Sequence, residues 1–221
     1  MKEAPKSFLM QFNSSEPLPD EFMENLIQFQ KLMMMYNCAI REVKTKLEVL
    51  NDELSLDSKR NPIEYIQSRV KKPASIIQKL QRRGLPLSLE SVIANLNDVA
   101  GIRVVCSFVD DIYHIAEMLI RQDDIRLIQV KDYIQNPKPN GYRSYHLIIE
   151  IPVFFSNKKQ PLRVEVQIRT MAMDFWASLE HKMKYKKSDP NAALLVNELR
   201  ECAEVIAQTD RKMLELRKRI E

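Results

Sequence analysis

Leu162-Arg-Val-Glu-Val-Gln-Ile-Arg169 alternates apolar and polar residues without a break. Successive side chains of a strand leave on opposite faces, so Leu162, Val164, Val166 and Ile168 share one face and Arg163, Glu165, Gln167 and Arg169 the other. One face is core and the other is wet. Taken alone, this is an antiparallel strand with a solvated side.

Working outward, the strand is expected over Leu162–Thr170, and two more precede it, Arg126–Tyr133 and Tyr142–Phe154. Polar loops separate them: Pro137-Lys-Pro-Asn-Gly141 and Ser156-Asn-Lys-Lys-Gln-Pro161. A fourth strand is read at Ile102-Arg-Val-Val-Cys-Ser-Phe108, too β-branched and too short to prefer helix. Between these come helices. One covers Asp110–Gln122, another about Ala74–Arg83 up to Gly84, and a third about Ser88–Leu96; Asn61-Pro62 with Glu64 has the form of a helix cap and first turn. After the alternating strand, the run from Thr170 to His181 reads as a helix with Phe175, Trp176 and Leu179 available to the core.

Two longer helices bracket this middle. Phe22, Leu26, Phe29, Met33, Tyr36, Ile40, Val43, Leu47 and Leu50 recur in steps of four and three, with Asp20 placed to cap. Leu195, Leu199, Cys202, Ile206, Thr209, Met213, Leu216 and Ile220 repeat the device. Each seam either packs on its own domain or forms a subunit interface. The order of elements suits an α+β fold, a mixed β-sheet flanked by helices. The chain divides into an N-terminal segment expected to be flexible (1–19), a long helix and linker (20–60), a core (61–186) and a C-terminal helix (187–221).

Composition narrows the function. With 221 residues, 45% hydrophobic and 29% charged, the chain is expected to be soluble and globular; it has no apolar run long enough to span a membrane and no signal-peptide pattern, so the cytoplasm is the expected compartment. The net charge of +4 suits an anionic partner. Only three glycines occur, which excludes a glycine-rich phosphate loop. Any nucleotide must be held mainly by side chains. Cys38, Cys106 and Cys202 lack zinc or disulfide spacing and read as reduced, mostly core thiols. Three scattered histidines, none followed by Asp, make a zinc or iron hydrolase site improbable.

Four constellations could carry chemistry. Arg69, Lys71, Lys72, Lys79, Arg82 and Arg83 lie together with no acidic residue between them, an anion site or a solvated face. The helix start at Pro73-Ala-Ser75 adds free amides and a hydroxyl for a phosphate. Asp98, at a helix-to-strand junction, could face the same side as Glu165, and two such carboxylates suit Mg2+, which prefers one or two carboxylates plus phosphate oxygens; alone, Asp98 is a turn former. In Gly141-Tyr-Arg-Ser-Tyr-His146, Tyr142, Ser144 and His146 share a face, an aromatic ring beside donors that could stack a base or simply pack across strands.

As an ordered set, Ser68-Arg-Val-Lys71, Asp98-Val-Ala-Gly-Ile-Arg103, Lys131-Asp-Tyr-Ile134, Gly141-Tyr-Arg-Ser-Tyr-His146, Glu165-Val-Gln-Ile-Arg-Thr170 and Phe175-Trp-Ala-Ser-Leu-Glu-His181 resemble the small alarmone synthetases, single-domain relatives of RelA/SpoT. Pro137-Lys-Pro-Asn-Gly141 and the run from Met173 to His181 look closest to the RelP type. The resemblance implies a nucleotidyltransferase-like fold and a GTP pyrophosphokinase without hydrolase activity. Such an enzyme moves pyrophosphate from ATP to the 3′-hydroxyl of GTP or GDP, giving pppGpp or ppGpp and AMP. It implies Arg69 and Arg103 on the adenine, and Lys71, Ser75 and Lys79 on the ATP phosphates. Asp98 and Glu165 would bind Mg2+, Glu165 also taking the proton of the attacking hydroxyl. On the acceptor side stand Tyr142, stacked on guanine, with Lys131, Lys138, His146, Gln167 and Asp174. The implied assembly is a homotetramer, with no membrane partner. The competing readings are a single-stranded RNA or nucleotide-binding module, which leaves Asp98 and Glu165 unexplained, and a scaffold built on the heptad helices.

Overall fold

The computed structural model describes residues 20–57, 60–183 and 192–220. Along the chain run α1 (Asp20–Asp57), β1 (Ile63–Val70), α2 (Pro73–Arg82), α3 (Leu89–Asn95), β2 (Ala100–Cys106) and α4 (Val109–Ile120). There follow β3 (Arg126–Asp132), β4 (Tyr145–Phe154), β5 (Lys159–Thr170), α5 (Met171–Lys182) and α6 (Ala192–Ile220). The expected flexible segment 1–19 lies outside the described residues, as does the Asp20 side chain expected to cap α1.

The alternating stretch becomes the centre of a five-stranded sheet ordered β1-β2-β5-β4-β3. β5 pairs in parallel with β2 and antiparallel with β4, so the sheet is mixed and β5 is not the plain antiparallel strand its pattern alone suggested. Its apolar face, Leu162, Val164, Val166 and Ile168, is buried with Ile102 and Val104 of β2 and Leu147, Ile149 and Ile151 of β4. α1 and α4 cover that face. On α1 the seam residues Tyr36, Ile40, Val43, Leu47 and Leu50 are all buried there, so this seam serves its own sheet. The polar face is left for the site.

Residues 61–64 correct an expectation: the cap-like Asn61-Pro62…Glu64 does not start a helix but leads into β1. Glu64 does not reach back to an amide. Its carboxylate accepts from the Ser107 hydroxyl at 2.6 Å, the Ser107 amide donates to the Pro62 carbonyl, and β1 runs antiparallel to β2 from Ile63 opposite Cys106 to Val70 opposite Ala100. A row of ladder bonds outweighs one capping pattern. The Arg69–Arg83 cluster therefore spans a strand-to-helix junction rather than two helices.

β4 starts at Tyr145, later than the expected Tyr142, because Gly141 turns the chain at φ 87° and the Tyr142 amide donates to the Asn140 side chain. A Cβ on Gly141 would lie 2.5 Å from the Ala203 Cβ and 3.0 Å from the Arg200 Cα. α6 is thereby seated on this loop. Trp176 Nε1 donates to the Leu199 carbonyl, Arg143 to the Ala203 carbonyl and Glu204, and the Thr170 hydroxyl to buried Asp210. The docked stripe of α6 is Leu199, Ala203, Ile206, Ala207 and Asp210. The expected seam is thus only half right, since Cys202, Thr209, Met213, Leu216 and Ile220 are exposed. Small alanines set the contact face because the helix must approach Gly141 closely. Phe175 and Leu179 are likewise exposed rather than core, and of the three thiols only Cys106 is buried, with Cys202 exposed.

Candidate active site

Opposite the α1 and α4 layer, the polar residues of β5 form the floor of a cleft lined by Ser68, Arg69, Asp98, Gly101, Arg103, Glu165 and Gln167. Strand register explains the grouping. Gly101 pairs with Glu165 and Arg103 with Gln167 across β2 and β5, while Arg69 pairs with Gly101 across β1 and β2. Gly101 has no side chain to intervene, and the Arg69 stem crosses it within 3.8 Å of where a Cβ would stand.

Asp98 lies in the turn between α3 and β2, anchored nearby by Arg163, which donates to the Ala94 carbonyl and the Asn97 side chain. Its Oδ2 receives both Lys71 Nζ at 2.7 Å and Lys79 Nζ at 2.6 Å. Burial alone would raise its pKa, but the two ammonium groups hold the carboxyl below the usual range. Oδ1 is buried without a hydrogen-bond partner. An orphaned carboxylate oxygen in a cleft that a second carboxylate also lines is a donor set that fits a hard divalent cation. Ser75 lies in the first turn of α2, which Pro73 opens, so this helix start borders the lysine pair.

Glu165 has its own partners. Oε2 accepts from Gln167 Nε2 at 2.9 Å and Oε1 lies 3.6 Å from His146 Nδ1. Burial pushes its pKa up, yet His146 and the Gln167 amide hold it below the ordinary carboxylate value, so the group is ionised at neutral pH. Burial keeps His146 below the usual imidazole range.

Beyond β4 lies a second cationic group. His146 and Lys131 face each other across β4 and β3, and Tyr142, Tyr133 and His146 pack edge to face. Lys138 Nζ rests 4.5 Å over the Tyr142 ring and 4.7 Å over Tyr133, its pKa lowered first by burial and then by neighbouring cations. A base stacking on Tyr142 would take the place that the ammonium holds. Arginines and lysines with one carboxylate lie on one flank of Glu165, and an aromatic ring with lysines and an imidazole on the other.

Asp174, expected on the acceptor side, is buried at the first turn of α5. Its Oδ2 accepts from the Tyr65 hydroxyl at 2.7 Å, and Oδ1 lies 3.3 Å from both Arg103 and Arg169. Two participants were missed in the sequence. Tyr65 was hidden by the helix expected at its position. Arg169 was placed on a wet face but is 2% exposed, with a hydrogen bond to Tyr142; its position at the end of the polar row was the available signal.

Comparison with known proteins agrees with this geometry. Residues 68–190 match the region found in RelA / SpoT proteins. The chain is 44% identical to GTP pyrophosphokinase YwaC of Bacillus subtilis over 86% of its own length and 90% of that protein. The crystal structure of small alarmone synthetase 2 from Bacillus subtilis superposes with a TM-score of 0.77 at 43% identity, covering 86% of this chain and 98% of that one. The structure of small alarmone synthetase 1 from the same organism, bound to its product pppGpp, gives 0.79 at 35% identity over 88% and 98%. With residues 68–190 matched by the family and these relatives covered over nearly their whole lengths, the chain belongs to the RelA/SpoT family, among the small alarmone synthetases.

Proposed function

We propose that this protein is a GTP pyrophosphokinase that makes pppGpp or ppGpp from ATP and GTP or GDP. The observation that carries the reading is one ionised carboxylate, Glu165, flanked on either side by a separate cationic group. The 3′-oxygen of the acceptor attacks the β-phosphorus of ATP, the bond from that phosphorus to the α,β-bridging oxygen breaks, and AMP leaves. Glu165 accepts the proton of the 3′-hydroxyl. Arg69 and Arg103 hold the adenine between guanidinium planes, while Lys71, Lys79 and Ser75 hold its phosphates without a glycine loop. Tyr142 offers a ring face to guanine, with Lys131, Lys138, His146 and Gln167 toward the acceptor phosphates and ribose.

Asp98 and Glu165 are the residues that would hold Mg2+, which when bound would neutralise charge on the phosphate oxygens. Asp98 supports this in a second way: its occupied oxygen holds Lys71 and Lys79 together, a pair of ammonium groups that suits the phosphates of ATP. Catalysis lies within 61–186, is confined to synthesis, and takes place in the cytoplasm. Among the described residues, no helix is long and apolar enough to cross a membrane. The RelP type is proposed on the loop from Pro137 to Gly141 and the run from Met173 to His181.

Glu165→Gln keeps volume and hydrogen bonding but removes the charge that both proton and metal require. We expect synthesis to fall at least about 1000-fold while thermal unfolding stays within a few degrees. Chromatography of a reaction with ATP, GTP and magnesium reads AMP and the alarmone directly. Near wild-type turnover in a folded variant would refute the mechanism.

A further inference from the structure

Arg169 is the most deeply buried charge of the polar face, 2% exposed, and the mechanism above gives it no task. A guanidinium donates hydrogen bonds and accepts none, and an ionised carboxylate accepts and donates none. Those two facts fix the direction of both bonds through the Gln167 amide. Arg169 Nη2 donates to the Gln167 carbonyl oxygen at 2.9 Å. The Gln167 amide must therefore turn its NH2 the other way, and Nε2 donates to Glu165 Oε2 at 2.9 Å. The same Nη2 donates to the Tyr142 hydroxyl oxygen at 2.8 Å.

That oxygen also lies 3.0 Å from His146 Nε2, and with the hydroxyl proton turned there Nε2 is the acceptor. A ring nitrogen that accepts carries no proton, so the neutral imidazole holds its hydrogen on Nδ1. Nδ1 faces Glu165 Oε1 at 3.6 Å, an electrostatic approach rather than a hydrogen bond. Two arms thus leave one buried nitrogen and end on the two oxygens of one carboxylate.

We propose that Arg169 is a positioning residue that sets the Nδ1–H tautomer of His146 through Tyr142 and the amide orientation of Gln167, so that Gln167 donates to one Glu165 oxygen and the imidazole N–H faces the other. Its effect on turnover rests on the reading of Glu165 as the base; the tautomer does not. Asp174, accepting from Nη1 at 3.3 Å, keeps the guanidinium in place. The Tyr142 hydroxyl is thereby engaged in the chain's own network, which leaves the ring face for a base.

The test is a long-range proton–nitrogen correlation spectrum of the nitrogen-15-labelled, metal-free and nucleotide-free protein with its imidazoles neutral. His146 is expected as the Nδ1–H form. Tyr142→Phe deletes only the hydroxyl, and there His146 should move to the Nε2–H form or to a mixture. Arg169→Lys cannot bridge both arms from one ammonium, so it should lower kcat about 10-fold or more while the KM for ATP stays within about twofold. A wild-type His146 in the Nε2–H form, or an unchanged tautomer in folded Tyr142→Phe, overturns the proposal. Should Glu165→Gln prove active while the tautomer shifts as expected, the network stands and the role of the base falls.

Discussion

Asp174 lies between Arg103 of β2 and Arg169 of β5. Its carboxylate is held by Tyr65, by Arg103 and by Arg169, and little of it is open to a ligand. Selection of guanine by Asp174 would require the base edge to displace one of these donors. ITP lacks the N2 amine of GTP, and an acceptor site that reads that amine disfavours ITP by about 1–3 kcal/mol. Given the occupied oxygens, the expected result for Asp174→Ala is an unchanged GTP-to-ITP ratio and a raised KM for ATP, as Arg103 loses its counter-ion. Steady-state kinetics with both acceptors measures the two effects separately. The carboxylates were legible because strand alternation puts Glu165 on a definite face and a turn puts Asp98 beside it. The depth of Arg169 was not legible, since it depends on Tyr142 and α5 closing over the end of β5, which no local pattern encodes.

At the scale of elements, helices with a stop or a cap read well from sequence: Gly84 at φ 65° ends α2, and the Ser88 hydroxyl caps α3 by accepting from the Ser91 amide. β1 read badly. Its Asn-Pro and Glu carry real helix-starting propensity, and only pairing with β2, some 40 residues later, decides against it. Packing at Gly141 gives a direct test of how α6 is joined to the rest. Gly141→Ala places a methyl 2.5 Å from the Ala203 Cβ at a positive φ, so it should cost about 1–3 kcal/mol. Trp176 is the sole tryptophan and is clamped to the Leu199 carbonyl. Its fluorescence should therefore shift to longer wavelength as α6 loosens, alongside a lowered Tm.

For the whole molecule, the two heptad seams part company. The seam of α1 is spent on its own sheet, whereas α6 keeps Cys202, Val205, Met213, Leu216 and Ile220 exposed in steps that continue along one side. We propose that this outer stripe joins copies of the chain, a tetramer being the implied assembly. Light scattering at micromolar concentration should report a multiple of 25.9 kDa, and Met213→Glu with Ile220→Glu should move the mass toward the single chain. A 25.9 kDa particle in the wild type would leave the stripe without that role. The α+β class was readable because strands and helices follow in order. The strand order was not, because β5 inserts between β2 and β4 and makes a parallel contact with a strand about 60 residues earlier. That insertion has a consequence for the protein as it leaves the ribosome. β1 and β2 can pair early and β3 and β4 later, but no strand ladder joins the two pairs until β5 emerges between them. Arg69 and Arg103 on one half and Tyr142 and His146 on the other are brought together by the last strand made, which itself carries Glu165. A nascent chain therefore carries these two groups of residues on separate strand pairs until its last strand joins them in one sheet.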